Sequence, residues 1–116
     1  MGAIELGSAN FEQTIKGNEI VFVDFWASWC GPCRQFAPVY EAAAEANDDL
    51  VFGSVNTEEE QQLAAAARVS SIPTLMAFKG GVLVFNQAGG LPAPALDELI
   101  AAVRGLDLEA ALAEEG

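Results

Sequence analysis

Histidine is missing from this chain, and cysteine occurs only twice, inside the string Trp29-Cys30-Gly31-Pro32-Cys33. A zinc site needs about four nitrogen or sulfur ligands, so two thiols and no imidazole argue against one. Cations are also scarce. Lys16, Arg34, Arg68, Lys79 and Arg104 face 17 acidic residues, for a net charge of −12. Nucleic acid and anionic membrane would not be drawn to such a chain. Long apolar runs are absent too: Ile20 to Ala27 is too short to cross a bilayer and contains Asp24. Met1-Gly2-Ala3-Ile4-Glu5 lacks the basic region and apolar stretch of a secretion signal. A soluble, cytoplasmic protein is expected. In that compartment a permanent structural disulfide is disfavoured, whereas a cycling one is not.

What is present suits one domain. The chain has 116 residues, 52% of them hydrophobic, enough for a core without staples. No repeat, linker or low-complexity stretch interrupts it. Its acidity serves solubility. The runs Asp48-Asp49 and Glu58-Glu59-Glu60 leave the region around the cysteines nearly neutral, a docking face carrying Arg34 inside an acidic rim.

The periodicities give an order of elements. Ile4 and Leu6 flank Glu5 as a short edge strand. Ser8 is placed to cap a helix bearing Phe11 and Ile15 and ending at Gly17. Ile20 to Trp26 is apolar on both alternations, as a strand covered on both faces must be. A helix follows to Ala46, with Phe36, Val39, Tyr40, Ala43 and Ala44 on one side and a kink expected at Pro38. Leu50 to Val55 is a second buried strand, completing a right-handed βαβ unit. Thr57 and Glu60 have capping-box spacing for a third helix ending near Arg68. Thr74–Phe78 and Val82–Phe85, joined through Gly80-Gly81, form a hairpin. A last regular helix carries Leu96, Leu99, Ile100 and Val103. Residues 1–105 are read as the domain, and 106–116 as a short acidic extension that Asp107 could cap as a helix. The fold class is α/β, a mixed sheet with helices on both faces.

The cysteine spacing carries the chemistry. Residues three apart share a helix face, so the two sulfurs can bond. The loop they close is too small to restrain an unfolded chain much, which makes the bond a poor staple and a good switch. Cys30 lies where unpaired N–H groups and the helix dipole favour a thiolate. Cys33, one turn further in, should be the more shielded. Cys30 is therefore expected to attack a substrate disulfide, and Cys33 to resolve the mixed disulfide. Pro32 suits a helix start. A cluster-bridged dimer and an idle pair of core cysteines are weaker alternatives. Asp24, buried in an apolar strand, should have a raised pKa. It reads as a proton acceptor for Cys33, or else as a buried acid satisfied by its neighbours. Pattern alone gives no reason for a cis bond at Ile72-Pro73.

From Val23-Asp24-Phe25 through Trp26-Ala27-Ser28-Trp29-Cys30-Gly31-Pro32-Cys33-Arg34, the chain resembles the thioredoxin family. Ala37-Pro38, Ile72-Pro73-Thr74, Phe78-Lys79-Gly80-Gly81 and Gly89 fall at similar intervals, so the resemblance spans about Ile4 to Arg104. It implies a thioredoxin fold and reduction of protein disulfides, with no bound cofactor beyond the Cys30–Cys33 disulfide. By position, Cys30 is the exposed nucleophile, Cys33 the resolving thiol, Asp24 the buried acid and Pro73 a cis-proline facing the disulfide. Trp29, Gly31, Pro32, Ile72, Ala88 and Gly89 match the partner-binding surface. NADPH-dependent thioredoxin reductase is the implied electron donor, and disulfide-containing proteins are the substrates.

Three departures stand out. Ser54 occupies a position where many members carry a lysine beside the acid. Ser71 stands where glycine is frequent. The segment past Gly105 is longer than in minimal members. Two other functions compete: an oxidase or isomerase of the same fold, and a binding or chaperone-like module. Gly31-Pro32 argues against the first, because oxidising relatives usually carry a histidine there.

Overall fold

In the computed structural model, which describes residues 2–115, a five-stranded sheet is ordered β1-β3-β2-β4-β5. Met1 and Gly116, the outer limits of the two expected segments, lie outside the described residues. The elements are β1 (Ile4–Glu5), α1 (Phe11–Gly17), β2 (Ile20–Trp26), α2 (Gly31–Ala46), β3 (Val51–Asn56), α3 (Gln61–Ala66), β4 (Thr74–Lys79), β5 (Val82–Ala88), α4 (Ala93–Gly105) and α5 (Leu108–Glu115). β3 pairs in parallel with β1 and β2, while β4 runs antiparallel to β2 and β5. The sheet is mixed because the first half is βαβ and the second a hairpin.

β2 is the central strand, and its two alternations feed two cores. Ile20 and Phe22 join Phe52 of β3, Phe36 and Tyr40 of α2, and Leu96, Ile100 and Val103 of α4. Val21, Val23 and Phe25 join Val55 and Met76, with Ile15 of α1 buried among them and Leu63 of α3 against them. Phe22 and Phe25 are fully buried, a burial that contributes roughly 2–3 kcal/mol per ring. The Phe22 and Phe52 rings stack at 5.1 Å, and Tyr40 meets Phe52 edge-on at 5.5 Å. α2 continues through Pro38. Gly80 and Gly81 make the two-residue turn between β4 and β5, both at positive φ (59° and 81°), as a type I′ turn demands.

Of the three expected helix caps one forms, the Asp107 Oδ1 accepting from the Ala110 amide at 3.1 Å at the start of α5, and two do not. Ser8 does not cap α1. Its amide and hydroxyl donate to Glu60 Oε1 at 3.1 and 3.0 Å, and Asn10 precedes the helix instead. Glu60, so engaged, forms no capping box with Thr57, whose hydroxyl donates to the Trp26 carbonyl at 3.0 Å. Two local capping motifs are thus replaced by one contact between distant segments. α3 is correspondingly short, starting at Gln61 and ending before Arg68, which sits at φ 61°.

Lys79, read from sequence only as part of the hairpin, is buried. Its Nζ donates to the carbonyls of Val103, Arg104 and Leu106 at 2.7, 3.0 and 2.8 Å. The ammonium shares the Val103 carbonyl with the Leu106 amide, adds a donor to the Arg104 and Leu106 carbonyls, and complements the dipole at the end of α4.

Candidate active site

β2 delivers the chain to the dithiol, and α2 carries it away. Cys30 is the N-cap of α2, and its Sγ accepts from the Cys33 amide at 3.2 Å. Cys30 and Cys33 are joined as a disulfide, with Cα atoms 5.2 Å apart. An N–H aimed at the Cys30 sulfur from the first helical turn stabilises negative charge there when the bond is opened.

The expected difference in shielding takes another form. Cys30 is 4% exposed and Cys33 3%, so neither sulfur projects into solvent. What differs is what each one faces. Cys30 lines a shallow groove of about 440 Å³ with Trp29, Gly31, Pro32 and Ile72. Cys33 lines a separate cavity of about 260 Å³ with Asp24, Tyr40 and Ser54. The two spaces share no lining residue.

Most of the other sequence-selected residues gather on the groove side. Trp29 is 68% exposed beside the disulfide. The Ile72 carbonyl oxygen lies 3.7 Å from Cys30 Sγ. The Ile72–Pro73 peptide is cis. Ala88 pairs with Thr74 next to Pro73, and the Gly89 amide donates to the Pro73 carbonyl at 2.7 Å. Gly89 is at φ 96°, a conformation glycine adopts without penalty.

Asp24 stands apart from the groove. It is 4% exposed, and its Oδ1 accepts no hydrogen bond from any described residue. Burial raises its carboxyl from the ordinary 3.8 to about 7. Ser54 is its register partner on β3, so the position where many family members carry a lysine does adjoin the acid. The Tyr40 hydroxyl, donating to the Gly53 carbonyl at 2.7 Å, is held well above its usual range by burial and by Asp24.

Sequence reasoning missed a brace on the loop before Cys30. Glu58 accepts from the Ser28 amide at 3.0 Å and from its hydroxyl at 2.7 Å, while Arg34 Nη1 donates to the Ser28 carbonyl at 2.8 Å. The Ser28 bonds hold the Glu58 carboxyl below its usual range. Arg34, itself exposed, therefore grips the loop and also lines the inner cavity. Nothing in the local sequence distinguishes Glu58 from its acidic neighbours, because its partner lies 30 residues away.

A thioredoxin family profile matches residues 2–102. A Streptomyces coelicolor protein provisionally named thioredoxin 2 is 57% identical over 106 residues, covering 91% of this chain and 79% of its own. A point-mutant thioredoxin of Halobacterium salinarum superposes with a TM-score of 0.83 at 33% identity, covering 90% of this chain and 93% of that one. A chain from a structure on thiol resolution in yeast mitochondrial 1-Cys peroxiredoxin via glutathione/thioredoxin systems gives 0.78 at 27%, covering 90% and 95%. Sheet order, dithiol placement and sequence converge, and the chain accordingly belongs to the thioredoxin family, as a thiol–disulfide oxidoreductase that reduces protein disulfides.

Proposed function

We propose that the two sides of the dithiol divide the work. Cys30, on the groove, attacks the substrate disulfide. Cys33, on the cavity, resolves the intermediate with Asp24 as its proton acceptor. The supporting observation is that the groove and the cavity share the disulfide but no lining residue. In the first step the Cys30 thiolate displaces one substrate sulfur and forms a mixed disulfide. In the second, Cys33 loses its proton to Asp24 and attacks Cys30 Sγ. The Cys30–Cys33 bond forms, and the second substrate sulfur leaves with the electron pair. A carboxyl titrating near pH 7 is suited to take a proton at neutral pH.

Trp29, Gly31, Pro32, Ile72, Pro73, Ala88 and Gly89 form the surface that meets the substrate. The backbone there is open and near-neutral, as suits extended segments of varied sequence. Disulfide-containing proteins are the substrates, and the peroxiredoxin system of the yeast relative exemplifies the class. An NADPH-dependent thioredoxin reductase restores the dithiol, the reaction takes place in the cytoplasm, and no cofactor is bound. Residues 1–105 act as the domain, with 106–116 a short acidic extension in which Leu108 of α5 rests near Gly80.

Mass spectrometry of stalled reactions tests the division. Cys33→Ser should accumulate a covalent adduct on Cys30, and Cys30→Ser should accumulate none. An adduct on Cys33 in the second variant would reverse the roles.

A further inference from the structure

The cavity beside Cys33 has an organisation that neither substrate binding nor disulfide chemistry requires. Asp24 of β2, Ser54 of β3 and Glu5 of β1 are register partners, forming one rung across the sheet to its edge. Above that rung, Cys33, Ala37 and Glu41 lie at i, i+4 and i+8 along a single stripe of α2. Small side chains at Ser54 and Ala37 leave the space between rung and stripe open, and it amounts to about 260 Å³. That is room for several waters, and the site offers polar partners for them. One of these is Asp24 Oδ1, buried and without a partner among the described residues. At the outer end the exposed Glu41 is held by the Ala3 amide, which donates to its Oε1 at 2.8 Å.

We propose that this cavity is a hydrated proton outlet, leading from Cys33 and Asp24 beneath α2 to Glu41 at the sheet edge and remaining open while a substrate covers the groove. It rests on Asp24 being the proton acceptor for Cys33. During resolution the Cys33 proton moves to the Asp24 carboxylate, and the electron pair it leaves forms the Cys30–Cys33 bond. The departing substrate thiolate takes its proton from bulk solvent on the groove side. Asp24 passes its own proton to cavity water and Glu41, returning to the carboxylate. The same route brings a proton back when the dithiol is reduced again.

The titratable groups around the outlet are few. α2 contributes Cys33, Arg34, Tyr40 and Glu41, and β1 contributes Glu5 at the end of the rung. β3 supplies the neutral Ser54, and Leu75 of β4 faces Asp24 from the other side. Arg34 and Tyr40 are committed to the Ser28 and Gly53 carbonyls. Glu41 is thus the carboxylate on the α2 wall, at the mouth.

The test reads Asp24 directly, by carboxyl carbon NMR of the full chain labelled at aspartate. Ala37→Leu, which fills the cavity, should move the Asp24 midpoint up by about one pH unit, making resolution about fivefold slower at pH 7 with recovery at higher pH. Glu41→Gln should leave the midpoint within a few tenths of a unit and slow proton exchange at Asp24 severalfold. A peptide fixed on Cys30 as a mixed disulfide in Cys33→Ser should leave that exchange unchanged. If the docked peptide stops the exchange, the proton leaves through the groove and the outlet is wrong. Wild-type midpoint and exchange in both Ala37→Leu and Glu41→Gln, with Asp24→Asn still slowing resolution, would overturn the outlet and keep Asp24 as the base. An Asp24→Asn protein that resolves at the wild-type rate would remove both.

Discussion

The groove side and the cavity side of the disulfide are built from different material. The groove is formed largely by loops and a helix start, the Trp29–Pro32 segment, Thr57 and the Val69–Ile72 approach to Pro73, with Ala88 paired to Thr74 nearby. It is shallow, and its most exposed large side chain is Trp29. The cavity is formed by the middle of two strands and the flank of a long helix. It encloses a carboxyl that burial holds near neutral pH. A partner surface must accept many shapes and can sit on loops, whereas a proton site must fix a dielectric environment and needs packed elements around it. The disulfide lies where the two meet, so each cysteine takes its character from the side it faces.

The comparison breaks most completely at the sulfurs. Cys30→Ser should abolish reduction of a protein disulfide, a loss of at least about a thousandfold in turnover. Cys33→Ser should retain the first attack at near wild-type rate in stopped-flow fluorescence. Asp24→Asn should touch only the cavity side, slowing resolution about tenfold or more at neutral pH while leaving the first attack intact.

The same substitution has a pH signature in stability. A carboxyl raised from 3.8 to about 7 holds its proton longer in the folded chain than in the unfolded one. The cost of ionising it in the folded chain is absent below about pH 4. The cost grows as pH rises through that window and is constant above about 7, reaching about 4 kcal/mol. Urea denaturation should therefore show Asp24→Asn gaining about 4 kcal/mol on wild type between pH 3 and pH 8. Parallel stability curves for the two proteins would contradict the raised pKa.

Lys79→Met serves as a control outside both sides. It removes the ammonium from three carbonyls around the end of α4, of which Val103 keeps the Leu106 amide, and should lower stability by about 2 kcal/mol, with resolution and substrate KM unchanged. The smallest effect belongs to the groove. Trp29→Ala should raise KM for a protein substrate about fivefold, equivalent to about 1 kcal/mol, with the Asp24 midpoint unmoved. A shift in that midpoint would show that the two sides are coupled through the loop that Glu58 and Arg34 brace.

Much of this was legible in the residues. The double apolar alternation of Ile20–Trp26 marked the central strand, the Phe36–Tyr40–Ala43 stripe marked the buried face of α2, and Gly80-Gly81 marked the hairpin. Each of these signals is local, since side-chain period reports which faces are covered. Ser8, Thr57 and Glu60 show where local reading stops. Both caps had the right chemistry and spacing, yet Ser8 and Glu60 are 52 residues apart and bond to each other. A capping side chain can be outcompeted by any partner that the fold brings close, and sequence spacing carries no information about that competition.

The sequence by itself determined that this chain has one chemically distinctive pair, that the pair opens a helix, and that a carboxyl sits in an apolar strand nearby. Those follow from residue type, short spacings and periodicity, properties of neighbouring residues along the chain. Tertiary structure alone decided that two almost equally buried sulfurs face different spaces, that Glu5 and Asp24 meet Ser54 from its two sides on one rung, and that Glu58 and Arg34 grip the same serine. These depend on strand register and on how helices cross the sheet. Contacts of that kind are set by the packing of the whole domain, where a single residue of slip would turn Asp24 and Ser54 to opposite faces.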